Sequence, residues 1–165
     1  MEKHKPTTDQ RTSAASDLVQ ARNQGLQGMR APHRLEHVAT VEEVFYINDS
    51  AATFLDAALA SLSTMERRTV WIMGCWSDDM SEGHVQDLMR ERVTAVVLFG
   101  HEGDAPSLQG ATIYLADNVR MAVFLARELA RAGEAVLFSP ACPSGNGFAN
   151  YEERGAEFKR TVKEL

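Results

Sequence analysis

No G-x-x-x-x-G-K-[ST] stretch, the glycine-rich loop that cradles phosphates, occurs in these 165 residues, so the chain has no motif for splitting a nucleotide unaided. No apolar run approaches the length of a membrane-spanning helix, and the first residues lack the apolar segment of a secretory signal. Cysteine is scarce: Cys75 and Cys142 are far apart in sequence and form no metal-ligand spacing, which points to reduced thiols in a cytoplasmic protein. Basic excess is also missing. With 17 Lys and Arg against 23 Asp and Glu the net charge is −6, which suggests neither nucleic acid nor an anionic membrane as a partner. Repeats are absent too, and only the first 16 or so residues are low in complexity. That polar, aperiodic stretch reads as disordered.

What is present is ordinary for one soluble domain: 44% hydrophobic and 24% charged residues in a chain long enough to bury a core without staples. Asp17 opens a short, weakly apolar helix with Leu18, Val19 and Leu26, ending at Gly25 or Gly28. The expected division is a tail and short helix over residues 1–28 and a domain over 29–165. Leu35 to Ile47 reads as a hairpin turning at Thr40-Val-Glu-Glu43. Asn48-Asp-Ser50 closes its second strand and opens a helix with Phe54, Leu55, Ala58, Leu59 and Leu62 on one face, so that Asp49 and Ser50 read first as helix caps.

Strand and helix patterns alternate from there. Val70–Met73, Ala95–Phe99, Ile113–Leu115 and Ala135–Phe138 read as strands. Glu82–Arg92 is a helix with Val85, Leu88 and Met89 inward. A second, capped by Asp117 or Asn118, places Met121, Ala122, Leu125 and Leu129 on one face and Arg120, Arg127 and Arg131 on a wet one. Asn150, with Glu153 three residues on, caps a last helix carrying Tyr151, Phe158, Val162 and Leu165. Continuous apolar strands separated by helices predict a Rossmann-like α/β fold: a mostly parallel sheet, helices on both faces, and a leading β-hairpin.

Polar groups gather where strands end: Asn48-Asp-Ser50, Gly74 to Asp79, Gly100 to Asp104, and Ser139 to Ser144. In a parallel sheet these loops share the carboxyl edge, where open α/β folds bind ligands. Taken singly each has a plainer reading. Asp78, Asp79, Glu82 and His84 suggest a metal only weakly beside a solvated helix start, so no metal site is assigned. His101 reads as a loop histidine. Cys142 has no general base near it in sequence and reads as a buried structural thiol.

Five segments occur together and in order: Pro32-His-Arg34, Asn48-Asp-Ser-Ala-Ala-Thr53, Leu98-Phe-Gly-His-Glu-Gly-Asp104, Ser139-Pro-Ala-Cys-Pro-Ser144 and Phe148-Ala-Asn-Tyr-Glu-Glu-Arg-Gly-Ala-Glu-Phe158. In this order they resemble the C-terminal domain of the Mur ligases, most nearly the D-glutamate-adding branch, over residues from about 25 to 165. The resemblance implies a three-domain, ATP- and Mg-dependent enzyme of peptidoglycan synthesis. In it a UDP-sugar domain and a P-loop domain make an acyl phosphate, and the C-terminal domain presents the attacking amino acid. It implies that His33 and Arg34 lie at the domain hinge and Asp49 on the nucleotide side. Thr53, Ser144 and Tyr151 are implied to line the amino-acid pocket.

This chain departs from that pattern. Ala51 stands where the family has a lysine in Asn-Asp-Ser-Lys-Ala-Thr, and Asp78 falls where a second lysine follows Gly-Gly. The expectation is a domain with no catalytic residue and no cofactor of its own. Its partners would be the missing ligase domains or a cell-wall enzyme. The alternative is a non-catalytic binding or regulatory module that docks on a cell-wall protein.

Overall fold

The computed structural model describes residues 31–145 and 147–165, and the expectations for the tail and the helix after Asp17 lie outside them. The compact unit Pro32–Leu165 is built on a six-stranded sheet in the order β1-β2-β6-β3-β4-β5. The strands are β1 Glu36–Val41, β2 Val44–Asn48, β3 Thr69–Met73, β4 Val93–Phe99, β5 Thr112–Ala116 and β6 Ala135–Phe138. Only the β1–β2 pair is antiparallel; β2–β6, β6–β3, β3–β4 and β4–β5 all run parallel. The helices among the described residues are α1 Leu55–Ser63, α2 Gly83–Arg92, α3 Val119–Leu129 and α4 Tyr151–Val162, with a short 3₁₀ turn at Asp78–Ser81. None is long and apolar enough to cross a membrane.

The continuous apolar strands have the physical cause expected of them. Side chains alternate across a strand, and here both faces are covered. Val70, Ile72, Val97, Val136 and Phe138 point to one core, shared with Val119, Ala122, Val123 and Ala126 of α3 and Phe158 and Val162 of α4. Trp71, Met73, Val96, Leu98 and Leu137 point to the other, with Ala58 and Leu62 of α1 and Val85 and Met89 of α2. Phe138 stacks on Phe158 at 4.7 Å between ring centroids, which locks α4 over β6.

This layering creates the switch point. The chain leaving β2 and β3 enters helices on one face, whereas the chain leaving β6, the strand between them, enters α4 on the other. Loops that part in this way leave a crevice at the carboxyl edge on either side of β6.

Several expectations change in detail. The hairpin turn is only Glu42-Glu43, both with positive φ (50° and 62°), as a two-residue turn matched to strand twist requires. Two glutamates there, rather than Asn-Gly, make the turn strained. Phe54, placed inward by the pattern, precedes α1 in extended conformation and is 59% exposed. In α3 the inward face is Val119, Ala122, Val123 and Ala126, with Met121 outside. Small residues let that helix approach the sheet closely, so the larger Met121 is left at the rim. The arginines of the same helix are not simply solvated: Arg120 pairs with Glu164 at 2.5 Å and Arg127 with Glu42 at 3.3 Å. Both expected caps of α3 and α4 are made, Asn118 accepting from the Met121 N–H and Asn150 from the Glu153 N–H. Glu153 reaches back to the Ala149 N–H at 2.7 Å, one residue before the cap itself.

Candidate functional site

The crevice between β2 and β6 is closed by polar bonds, and Asp49 is its centre. Asp49 and Ser50 are not helix caps: α1 starts five residues beyond Ser50, with Phe54 in the cap position and no side-chain cap bond. Instead the Asp49 N–H donates to the Phe138 carbonyl at 2.8 Å, continuing the β2–β6 ladder past its end. The two carboxylate oxygens are both engaged. Oδ2 accepts from the Ser139 hydroxyl at 2.7 Å, and Oδ1 from the Leu35 N–H at 3.1 Å. Burial pushes the Asp49 carboxyl above its ordinary range. Hydrogen bonds from Ser61, Ser139 and the Leu35 N–H, and the charge of Arg34, oppose that without overturning it.

His33 enters this seam on a left-handed backbone, φ 63°. Its Nδ1 accepts from Asn48 Nδ2 at 2.9 Å, its ring meets Tyr151 edge-on at 6.2 Å, and its carbonyl accepts from the Ala51 N–H at 3.0 Å. Asn48 also donates to Glu36 Oε2 at 3.1 Å, and Lys159 pairs with Glu36 Oε1 at 2.7 Å. Gly155 makes room for all this: a Cβ there would lie 2.2 Å from His33 Nδ1. Arg34, next in sequence, is exposed.

Arg154 fastens the loop after β2 to the loop after β6. It is 1% exposed, and its guanidinium donates to Ser50 Oγ (3.1 Å) and to the carbonyls of Ser50 (2.9 Å), Cys142 (3.0 Å) and Pro143 (3.1 Å). The Ser50 hydroxyl passes its own proton on to the Tyr151 carbonyl at 2.8 Å. The Ala141 N–H donates to the Ala52 carbonyl at 3.0 Å, from an alanine held at φ 59°. Thr53 follows Ala52 and Ser144 follows Pro143, so the two hydroxyl-bearing segments leave one stitched seam, half-buried, with Tyr151 at the start of α4. Of the residues singled out in the sequence, His33, Asp49 and Tyr151 belong to this bonded cluster, Thr53 and Ser144 flank it, and Arg34 reaches it through its charge alone.

Asp78 is placed elsewhere. It lies beyond β3 and lines a cavity of about 480 Å³ with Trp76, Ser81, Gln86, Ser107, Leu108 and Gln109. The nearby His84 sits 3.3 Å from Glu82, both exposed, and among the described residues no group of three His, Cys, Asp or Glu side chains is gathered to hold a metal. His101 is a loop residue whose Nε2 lies 3.2 Å from the Asp104 carbonyl. Both Asp49 oxygens already accept from protein donors.

Arg154 is the residue that sequence reading missed. A signal was there: positions 154, 158 and 162 share the apolar face of α4, and an arginine on such a face demands buried acceptors. The nearness of Cys75 to Cys142 was also missed, because their sequence separation hides that β3 and β6 are neighbours.

Comparison with known proteins now gives this geometry a lineage. A family profile described as "Mur ligase, glutamate ligase domain" matches residues 33–142. The UDP-N-acetylmuramoylalanine–D-glutamate ligase of Desulfosudis oleivorans is 39% identical over 155 residues, covering 92% of this chain and 33% of that enzyme. The enzyme of the same name from Cupriavidus pinatubonensis is 40% identical over 152 residues, covering 86% of this chain and 29% of its own length. That from Christiangramia forsetii is 36% identical over 176 residues, covering 99% of this chain and 39% of its own. The chain thus spans well under half the length of these relatives. By the profile match and by these identities, it belongs to the Mur ligase family, in the glutamate ligase domain.

Proposed function

We propose that this chain is an amino-acid-presenting domain of the Mur ligase kind, cytoplasmic and tied to peptidoglycan synthesis, that performs no ligation by itself. The observation that carries the reading is the seam held by Arg154. It brings the segments bearing Thr53 and Ser144 together beside Tyr151 at the carboxyl edge of the sheet, where a small polar ligand is presented to chemistry arriving from outside. Activating a carboxylate with ATP needs a phosphate loop and a metal site, and these must come from other ligase domains. Phe54, exposed beside Thr53, offers such domains an apolar anchor. The charge pattern argues that D-glutamate is not the preferred ligand: of the two lysines the resemblance implies, Ala51 leaves the seam without one, and Asp78, in a separate cavity, stands in place of the other.

The test is an ADP-release assay. The purified 165-residue chain is mixed with ATP, magnesium, D-glutamate and UDP-N-acetylmuramoyl-L-alanine. No ADP above the no-enzyme rate is expected. ADP release coupled to D-glutamate addition would overturn the reading. A thermal-shift series with amino acids, ATP and UDP-sugars run beside it gives the ligand preference; stabilisation by an amino acid is expected, and stabilisation only by a protein partner from the cell-wall machinery favours a docking module instead.

A further inference from the structure

We infer that Cys75 and Cys142 form an intramolecular disulfide site, closed by low-molecular-weight disulfides of the glutathione type, which pins the loop after β3 to the loop after β6. The inference is independent of any ligase role.

The two loops leave neighbouring parallel strands in register, with Ile72 opposite Phe138. Two hydrogen bonds hold them together past the strand ends: the Ser139 N–H to the Ile72 carbonyl at 3.2 Å, and the Gly74 N–H to the Pro140 carbonyl at 2.8 Å. The left-handed Ala141 then turns the chain so that Cys142 points back across the crevice. Its Sγ lies 2.8 Å from where a Cβ on Gly74 would be, pressed against that glycine, and Cys75 is the next residue. Cys75 is near enough to help push the Cys142 thiol upward. A disulfide needs its α-carbons within about 4.4–6.8 Å and its side chains facing each other; the Cys142 sulfur already abuts the backbone one residue before Cys75.

The pair is also chemically unequal. Cys75 is exposed and Cys142 buried. Burial, with the neighbouring Cys75, pushes the Cys142 thiol up to about 12, despite Arg154 Nη1 at 4.0 Å from its sulfur. Only Cys75 meets reagents from solution, and Cys142 acts on what Cys75 has captured. In the first step the Cys75 thiolate attacks one sulfur of glutathione disulfide; the Cys75–glutathione bond forms, the reagent's S–S bond breaks and one glutathione leaves as thiolate. In the second step Cys142, deprotonated, attacks the Cys75 sulfur; the Cys75–Cys142 bond forms and the second glutathione leaves. Two protein thiols are oxidised by two electrons, one reagent disulfide is reduced to two thiols, and the two protons pass to the departing glutathiones. Because so little Cys142 is thiolate near neutrality, the second step is slow and speeds up by roughly tenfold per pH unit below that pKa.

The experiment treats the folded 165-residue chain, dilute enough to avoid intermolecular pairing, with glutathione disulfide, quenches with acid at intervals, and reads intact mass and linked peptides. The expected sequence is a transient glutathione adduct on Cys75, then a species two hydrogens lighter than the starting protein whose digest contains a Cys75–Cys142 cross-linked peptide, reversed by dithiothreitol. Cys75→Ser should not react while folded, and Cys142→Ser should stop at the adduct. Wild-type protein decides the question even if the buried Cys142→Ser fails to fold. An adduct on Cys75 that never closes, the absence of any reaction at Cys75, or closure as fast in denaturant as in the folded chain would overturn the inference.

Discussion

Arg154 holds Ser50 by two bonds, Nε to the hydroxyl at 3.1 Å and Nη2 to the carbonyl at 2.9 Å, across 104 residues of sequence. Among the described residues no carboxylate is a hydrogen-bond partner of Arg154; the guanidinium is met by carbonyl dipoles from Ser50, Cys142 and Pro143. Burial draws its pKa down, but an arginine remains charged throughout the accessible pH range. The planar fork, with donors on three nitrogens, allows one side chain to satisfy both loops at once.

Replacing it should therefore cost more than one hydrogen bond. Arg154→Met keeps much of the volume but leaves the buried carbonyls of Ser50 and Cys142, and the more exposed one of Pro143, without their donor. A hydrogen bond to a charged group contributes about 1.5–3 kcal/mol, so a loss of about 3 kcal/mol or more is expected in urea denaturation. Arg154→Lys should not restore it, because one ammonium cannot span both loops. A loss below about 1 kcal/mol would show that water enters and replaces the guanidinium.

Gly155 is a glycine for want of space. A Cβ there would meet His33 Nδ1 at 2.2 Å and the Ser50 Cβ at 3.0 Å. Gly155→Ala gains helix propensity of up to about 1 kcal/mol, but overpacking of this kind typically costs about 1–3 kcal/mol. Net destabilisation is expected, together with loss of the Asn48–His33 hydrogen bond. Thermal unfolding and the His33 side-chain resonances check it; an unchanged or raised Tm would mean that His33 swings clear without penalty.

Glu36 sets an acid limit on the same seam. Burial by itself would raise its carboxyl, but Lys159, the His33 N–H and Asn48 together hold it below the usual carboxylate range. A folded-state value below the unfolded one means that the stabilisation is complete above the unfolded pKa, about 4.3, and is lost as pH falls through the folded value. Glu36→Gln should thus cost about 1 kcal/mol at pH 7, since both partners keep roughly a third of their surface in water (28% and 33%). The gap between variant and wild type should narrow below about pH 4. Equal gaps at pH 7 and pH 3 would place the effect in packing rather than charge.

The architecture was legible because the strands carry it openly. Val70–Met73, Ala95–Phe99 and Ala135–Phe138 are apolar without alternation, which only a sheet covered on both faces requires. Asn118 and Asn150 announced their helices through local chemistry. The site was legible only in part. Asp49 and Ser50 look like caps because Asn-Asp-Ser before an apolar run satisfies every local criterion; their actual partners, Ser139 and Arg154, lie 90 and 104 residues away. Strand order decides such pairings, and nothing local in the chain tells that β6 returns between β2 and β3.

Charge at the proposed amino-acid site yields the last prediction. Ala51 lies in the seam, its N–H bound to the His33 carbonyl, whereas Asp78 lines a separate cavity beyond β3. Where the resemblance implies a lysine at each position, this chain supplies a methyl group and a carboxylate. Each charge-assisted hydrogen bond to a ligand carboxylate contributes about 1.5–3 kcal/mol, so the loss of two weakens D-glutamate by roughly a hundredfold to ten-thousandfold. Of the cations weighed as replacements, Lys159 is already bound to Glu36 at 2.7 Å, and Arg34 is exposed, with its charge acting on Asp49. Calorimetry on the wild-type chain should show no D-glutamate binding in the micromolar range. The double substitution Ala51→Lys with Asp78→Lys should create it, with Ser144→Ala in that background weakening it again. Micromolar binding by the wild type, or no gain from the two lysines in a variant that remains folded, would show that the ligand is not read through those two positions.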